Sequence, residues 1–328
     1  MDLRDHPMRR EHRPNILIRP NYRLALAVAT ALEFGRPSLR EIGHARTGKS
    51  TANELLAELR GWRPFNIGFL RTIAGNPDRH TESALFRDLA LGLKLRQPKS
   101  STGTEALLRM ANAIEEEAGR ANASTVILSI DNAELLQIED YNHLVRLHTM
   151  FAGELRLFFL FICQIDARPE GSEALAALAP PHIKGRFFVD RHYVTGLLWS
   201  IPESEQTEQD ANDVALAMRV YDRDLRWPED DGPTYTEAFA PKAYAEGWRL
   251  EQQVDDIRRE IEAMCATDNL MFMPDWLMAS FEPFVYYVLV RVAGSDSNFS
   301  KLSKDHIKAG LRASAFIEFE RARQGFKR

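Results

Sequence analysis

Gly43-His44-Ala45-Arg46-Thr47-Gly48-Lys49-Ser50 satisfies G-x-x-x-x-G-K-[S/T] at every fixed position. Residues 37–43 read as a short strand entering the stretch, and residues 49–60 as an amphipathic helix leaving it. Strand, glycine-bearing loop and helix together make a phosphate cradle. Glycines let the backbone fold tightly so that successive N–H groups point at one anion. Lys49 is placed to reach the β- and γ-phosphates of a nucleotide, and the Ser50 hydroxyl to coordinate Mg2+. The binding set is Gly43, His44, Ala45, Arg46, Thr47, Gly48, Lys49, Ser50 and the adjoining Thr51.

A nucleotide loop calls for an acidic residue at the end of a neighbouring buried strand, to hold the magnesium shell. Residues 124–131, STVILSID, are a nearly continuous apolar, β-branched run, as in a strand covered on both faces. The run ends in Asp131, which takes the metal role together with Ser50. Asn132 stands where many ATPases carry a water-activating Glu. An amide cannot accept the water's proton, so slow hydrolysis is expected, with Glu134 two residues on as a substitute base.

Working outward, strand-like and helix-like segments alternate. Helices are expected over 21–34, 80–94, 103–119 and 139–153, and further strands over 64–72, 155–165 and 186–195. Ser101-Thr102-Gly103-Thr104-Glu105 carries a capping pattern for the helix over 103–119. Such alternation implies an α/β core with a parallel sheet flanked by helices. Beyond about residue 197 the pattern changes. An acidic stretch over 203–231 leads to helices over 241–264, 273–293 and 304–324, with no convincing strand. The expected organisation is an Arg/Pro-rich extended arm (1–20), an ATPase core (21–199) and a small all-helical lid with an acidic insertion (200–328).

The chain has 328 residues, 45% of them hydrophobic, and a net charge of −5, which excludes bulk disorder and a uniformly basic nucleic-acid coat. A local basic face remains compatible with that charge. Candidates for DNA phosphates are the arm (Arg4, Arg9, Arg10, Arg13, Arg19), the segment Lys94–Lys99, and the run Arg321, Arg323, Lys327, Arg328. The two cysteines, Cys163 and Cys265, lie in apolar surroundings and fit a reducing compartment. The first 14 residues lack the apolar core of a signal peptide, and the longest apolar runs are too short to span a bilayer, so a cytoplasmic location is expected.

These motifs resemble those of the AAA+ ATPases over roughly residues 20–200. Gly43–Ser50 is similar to the family's Walker A element and Val126–Asp131 to its Walker B. The resemblance places a polar sensor at Gln164, and a trans-acting arginine at Arg186 of Gly185-Arg186-Phe187, with Arg191 as the competitor. In length and layout the chain looks like the TniB and TnsC type of transposition regulators. That resemblance implies ATP and Mg2+ as cofactors and a homo-oligomer, ring or filament, assembled on duplex DNA. It also implies a transposase partner, to which target DNA is handed. A nucleotide-dependent signalling or defence switch, and a replication-initiator or helicase-loader ATPase, stay open as alternatives. Arg46 departs from the family pattern by placing a charge inside the loop.

Overall fold

The computed structural model describes residues 3–11, 13–96, 102–153, 155–165, 171–206 and 212–325. Two compact units result. One comprises Arg23–Ala45 and Lys49–Val194; the other comprises Met1–Tyr22, Arg46–Gly48 and Thr195–Arg328.

The first unit is built on a five-stranded sheet ordered β2-β3-β4-β1-β5. The strands are β1 (Ser38–Gly43), β2 (Gly68–Ile73), β3 (Thr125–Asp131), β4 (Arg156–Gln164) and β5 (Arg191–Val194). Every pairing is parallel. The loop strand β1 lies inside the sheet, between β4 and β5. Alternation along the strands divides the core in two. Phe158 and Leu160 point to a layer formed by α1 (Arg19–Glu33) and α2 (Lys49–Glu58), with Leu24, Val28, Leu32 and Leu56. Phe159, Phe161 and Cys163 point to the opposite layer of α3 (Glu82–Gly92), α4 (Gly103–Ala121), α5 (Ile138–Met150) and α7 (Pro181–Phe187). A short α6 (Gly171–Leu178) precedes α7. Phe159 stacks on Phe161 at 5.6 Å, and both rings meet Phe187 edge-on. Truncating one such ring to alanine costs about 3–5 kcal/mol.

Local signals match their residues. Thr102 caps α4 through the Glu105 N–H (3.3 Å), and Glu105 accepts the Thr102 N–H in return (2.8 Å). Gly68 lets β2 approach α4 closely, since a Cβ there would lie 2.9 Å from the Glu117 side chain. Glu117 then accepts the Phe69 N–H at 2.9 Å.

The second unit has its core around Trp276, which is fully buried and stacked on Trp199 at 5.5 Å, with Phe281 and Phe284 alongside. Its helices are α8 (Asp213–Arg219), α9 (Tyr235–Phe239), α10 (Pro241–Ala245), α11 (Val254–Thr267), α12 (Met278–Tyr286), α13 (Lys304–Ala313) and α14 (Phe316–Arg323). Three expectations need revision here. Leu197–Leu198 and Asp275–Trp276 form a small antiparallel pair where no strand was expected. The stretch 241–264 falls into α10 and α11, and 304–324 is interrupted at Ala315, whose φ of 54° is left-handed. The arm is not extended in solvent. Met8, Ile16 and Ile18 are core residues of this unit, and His6 is buried against Trp227, Tyr235 and Phe239 at 5.1, 4.4 and 4.6 Å. Those four apolar or aromatic anchors sit among arginines, so composition masked them. No helix among the described residues is long and apolar enough to cross a membrane.

Candidate functional site

β1 delivers the loop at the carboxyl end of the sheet. Its last residue, Gly43, lies in register with Gln164 of β4 and Val194 of β5. Lys49 opens α2, and its Nζ donates to Gly43 O (2.9 Å) and His44 O (2.6 Å). Gly48 adopts φ 103°, a conformation favourable only to glycine, which explains its fixed place. Arg46 is also left-handed, with φ 67°. Burial pushes the Lys49 pKa down, and the carboxyl groups of Glu41, Glu134 and Asp131 oppose that shift.

Ser50 Oγ donates to Asp131 Oδ2 at 3.0 Å, which joins the start of α2 to the end of β3. Asp131 Oδ1 accepts the N–H of Asn132 at 2.9 Å. A hydroxyl and a carboxylate form a hard-oxygen donor pair, suited to Mg2+. Beside them the Lys49 ammonium and the N-terminus of α2 supply positive potential. The residues present therefore fit a magnesium-bound polyphosphate.

Asn132 has a reason of its own to be asparagine. Its backbone sits at φ 56°, ψ 33°, in the left-handed region, where Asn is tolerated far better than Glu. Glu134 is held differently. Its Oε2 accepts the Gln164 N–H at 3.0 Å, so this carboxylate bridges the ends of β3 and β4. Gly43, Lys49, Ser50, Asp131, Glu134 and Gln164 thus come from distant parts of the chain to one edge of the sheet.

Arg186 is not among them. Residues 181–187 form α7 rather than the start of a strand, because Pro181 opens a helix there. Ser38 Oγ donates to Arg186 O at 2.7 Å, and Arg186 Nη1 donates to Thr149 Oγ1 at 3.3 Å. Ser38 begins β1 and Gly43 ends it, so Arg186 sits about 16 Å from the loop, at roughly 3.3 Å per strand residue. Arg191 opens the edge strand β5 and donates to the Tyr193 hydroxyl at 3.3 Å.

The basic candidates separate as well. Arg323 is engaged within the fold: its side chain is 3% exposed and donates to Asp275 Oδ1 (2.7 Å) and Glu320 Oε2 (2.8 Å). Arg321 is paired with Asp268 at 2.5 Å, while Lys327 and Arg328 lie outside the described residues. In the arm, Arg13 stacks over Tyr286 at 4.1 Å, Arg9 lies over Phe239 at 5.8 Å, and Arg19 donates to Glu205 O at 3.1 Å. Lys94 and Arg96 are exposed; residues 97–99 lie outside the described set. Sequence reasoning passed over Arg40 and Glu41, two consecutive and fully buried ionisable side chains in β1. The signal was a charged pair inside the strand S-L-R-E-I-G.

Residues 34–169 match the model of a family described as an AAA domain. No curated relative matches the chain. Among solved structures, the chain is similar to the Aeropyrum pernix ORC1 protein in complex with DNA. There the TM-score is 0.47 and the identity 14%, over 91% of this chain and 66% of that one. Drosophila ORC bound to DNA gives 0.46 and 15%, over 86% and 62%. The C. elegans protein PCH-2 gives 0.37 and 13%, over 90% and 67%. The chain spans two thirds or less of the length of the first two.

Proposed function

We propose that this chain binds ATP with Mg2+ through Gly43–Thr51, hydrolyses it slowly, and assembles in the cytoplasm as an oligomer on duplex DNA, where it selects or delivers target DNA to a transposase. The observation that carries the nucleotide part is the Ser50–Asp131 link beside Lys49. It supports Ser50 and Asp131 as the residues that would hold Mg2+, and the metal would neutralise charge on the phosphates. Lys49 binds the β- and γ-phosphates, and the backbone of Gly43–Gly48 cradles them.

Glu134 is the carboxylate best supported for orienting the attacking water, since Gln164 holds it at the strand ends. Gln164 senses the same region. Asn132 serves the turn that follows Asp131. Hydrolysis is slow because no acid directly follows Asp131, and the left-handed backbone at Asn132 keeps a glutamate placed there from taking up that role. The distance of Arg186 from its own loop supports action on a neighbouring subunit's nucleotide, where a guanidinium adds about 10³-fold or more in rate. Exposed Lys94 and Arg96 are the cations best supported for DNA phosphates. The transposition role rests on layout: one ATPase core, a compact helical unit and a short N-terminal segment.

The test is electron microscopy with a non-hydrolysable ATP analogue, with and without duplex DNA. Rings or filaments that require both support the reading. Assembly indifferent to DNA would favour a nucleotide switch acting on a protein partner.

A further inference from the structure

Arg40 and Glu41 are consecutive in β1, and each is at most 1% exposed. Strand alternation sends them to opposite faces, so they cannot neutralise each other. Glu41 shares its face with Leu39, which packs in the α1/α2 layer. Its register neighbours are Ile162 of β4 and His192 of β5. Both carboxylate oxygens are buried and lack a hydrogen-bond partner among the described residues. A carboxylate stripped of water and of donors is costly to keep charged.

The opposite charge acting most strongly on Glu41 is Lys49, and among the charges acting on Lys49 the strongest is Glu41. Burial pushes the Glu41 carboxyl up to about 8; Lys49 opposes that shift and Asp131 adds to it. The other ionisable groups around it are the buried Cys163 thiol of β4 and His192, whose protonation is disfavoured by burial and by Arg23 of α1. In this structure the Lys49 ammonium is drawn back onto the carbonyls of Gly43 and His44.

We propose that Glu41 is a proton-linked neighbour of Lys49: a buried carboxyl in the strand that leads into the phosphate loop, which takes up a proton from solvent when a nucleotide phosphate draws the Lys49 ammonium away. The proposal rests on the reading of Lys49 as a phosphate contact. A phosphate that engages Lys49 removes the strongest counter-charge from Glu41 and brings an anion near it. Both effects make the ionised carboxylate less favourable, so the O–H bond forms at the expense of buffer acid. Nucleotide binding is thereby linked to pH: affinity falls as pH rises through the range in which Glu41 ionises.

The test is calorimetric titration of ATP, in EDTA at pH 8, in two buffers of different ionisation enthalpy. The difference in apparent heat counts protons exchanged. The wild-type protein is expected to take up about half a proton more than Glu41→Gln, because a group near its midpoint is about half ionised. Glu41→Gln should bind ATP as the wild type does at pH 7, where the acid is mostly neutral, and more tightly at pH 9. Equal proton counts in the two proteins, or loss of ATP binding by Glu41→Gln at pH 7, would overturn the proposal. Absence of any proton uptake by the wild type between pH 7.5 and 9 would do so without recourse to a variant. No ATP binding by the wild type would overturn the nucleotide reading and this inference together. Binding without Glu41-dependent uptake would overturn this inference alone.

Discussion

Ser50 Oγ lies 3.0 Å from Asp131 Oδ2, across 81 residues of sequence, and donates its hydrogen bond there. The contact aligns the first turn of α2 with the end of β3 and leaves two oxygen donors side by side. Asp131→Ala should weaken magnesium-dependent ATP binding by about tenfold or more while leaving metal-free binding nearly unchanged. Equilibrium titration with ATP in Mg2+ and in EDTA measures both; an equal loss in the two conditions would remove Asp131 from the metal role.

Asn132 and Glu134 make a pair of opposite expectations. Asn132→Gly should keep full stability, and Asn132→Glu should lose about 1 kcal/mol, because a side chain larger than Asn is strained at φ 56°. Asn132→Glu should also fail to raise the hydrolysis rate. Glu134→Gln should lower that rate by about 10²-fold, the usual scale for general-base catalysis. Phosphate-release assays beside urea melts decide between these outcomes, and a faster Asn132→Glu enzyme would restore Asn132 as the limiting residue.

His6 gives the helical unit a pH dependence. The Met8 N–H donates to His6 Nδ1 at 3.1 Å, which requires a neutral ring with its proton on Nε2. Burial, followed by the charges of Arg9 and Arg10, pushes its pKa down from 6.5 to about 4. The unfolded chain therefore binds a proton that the folded chain refuses. Stability from this group is complete above about pH 6.5 and declines as pH falls toward 4, by on the order of 2 kcal/mol. Melting curves from pH 4.5 to 7 should show a shallower decline in His6→Phe than in the wild type; parallel curves would count against the buried neutral ring.

Arg323 should behave as a core residue. Arg323→Ala leaves Asp275 and Glu320 without their cation and should cost about 3 kcal/mol, read as a lower urea midpoint. A variant of unchanged stability with weaker DNA binding would return Arg323 to the set of phosphate contacts.

The sheet and the loop were legible because each announced itself locally. Val126–Asp131 could only be a strand covered on both faces, and Gly43–Ser50 carries its chemistry in fixed positions. Thr102 and Glu105 marked the start of α4 to the residue. What could not be read depended on long-range contact. Residues 186–195 read as one strand, yet Pro181 starts a helix that carries Phe187 into the core, and β5 begins only at Arg191. The arm looked like solvated charge because Met8, Ile16 and Ile18 are spaced without a period. Glu41 was passed over, since nothing local says that a glutamate inside a strand will be wholly buried.

The proposed role of Lys49 and its loop is to hold a nucleotide's phosphates. Direct titration of ATP·Mg2+ into the wild type and Lys49→Ala tests it, with matched melting curves to confirm that both are folded. The variant is expected to lose at least about tenfold in affinity, as removal of a charge-assisted phosphate contact would cause. ATP bound equally well by a folded Lys49→Ala protein would contradict the account.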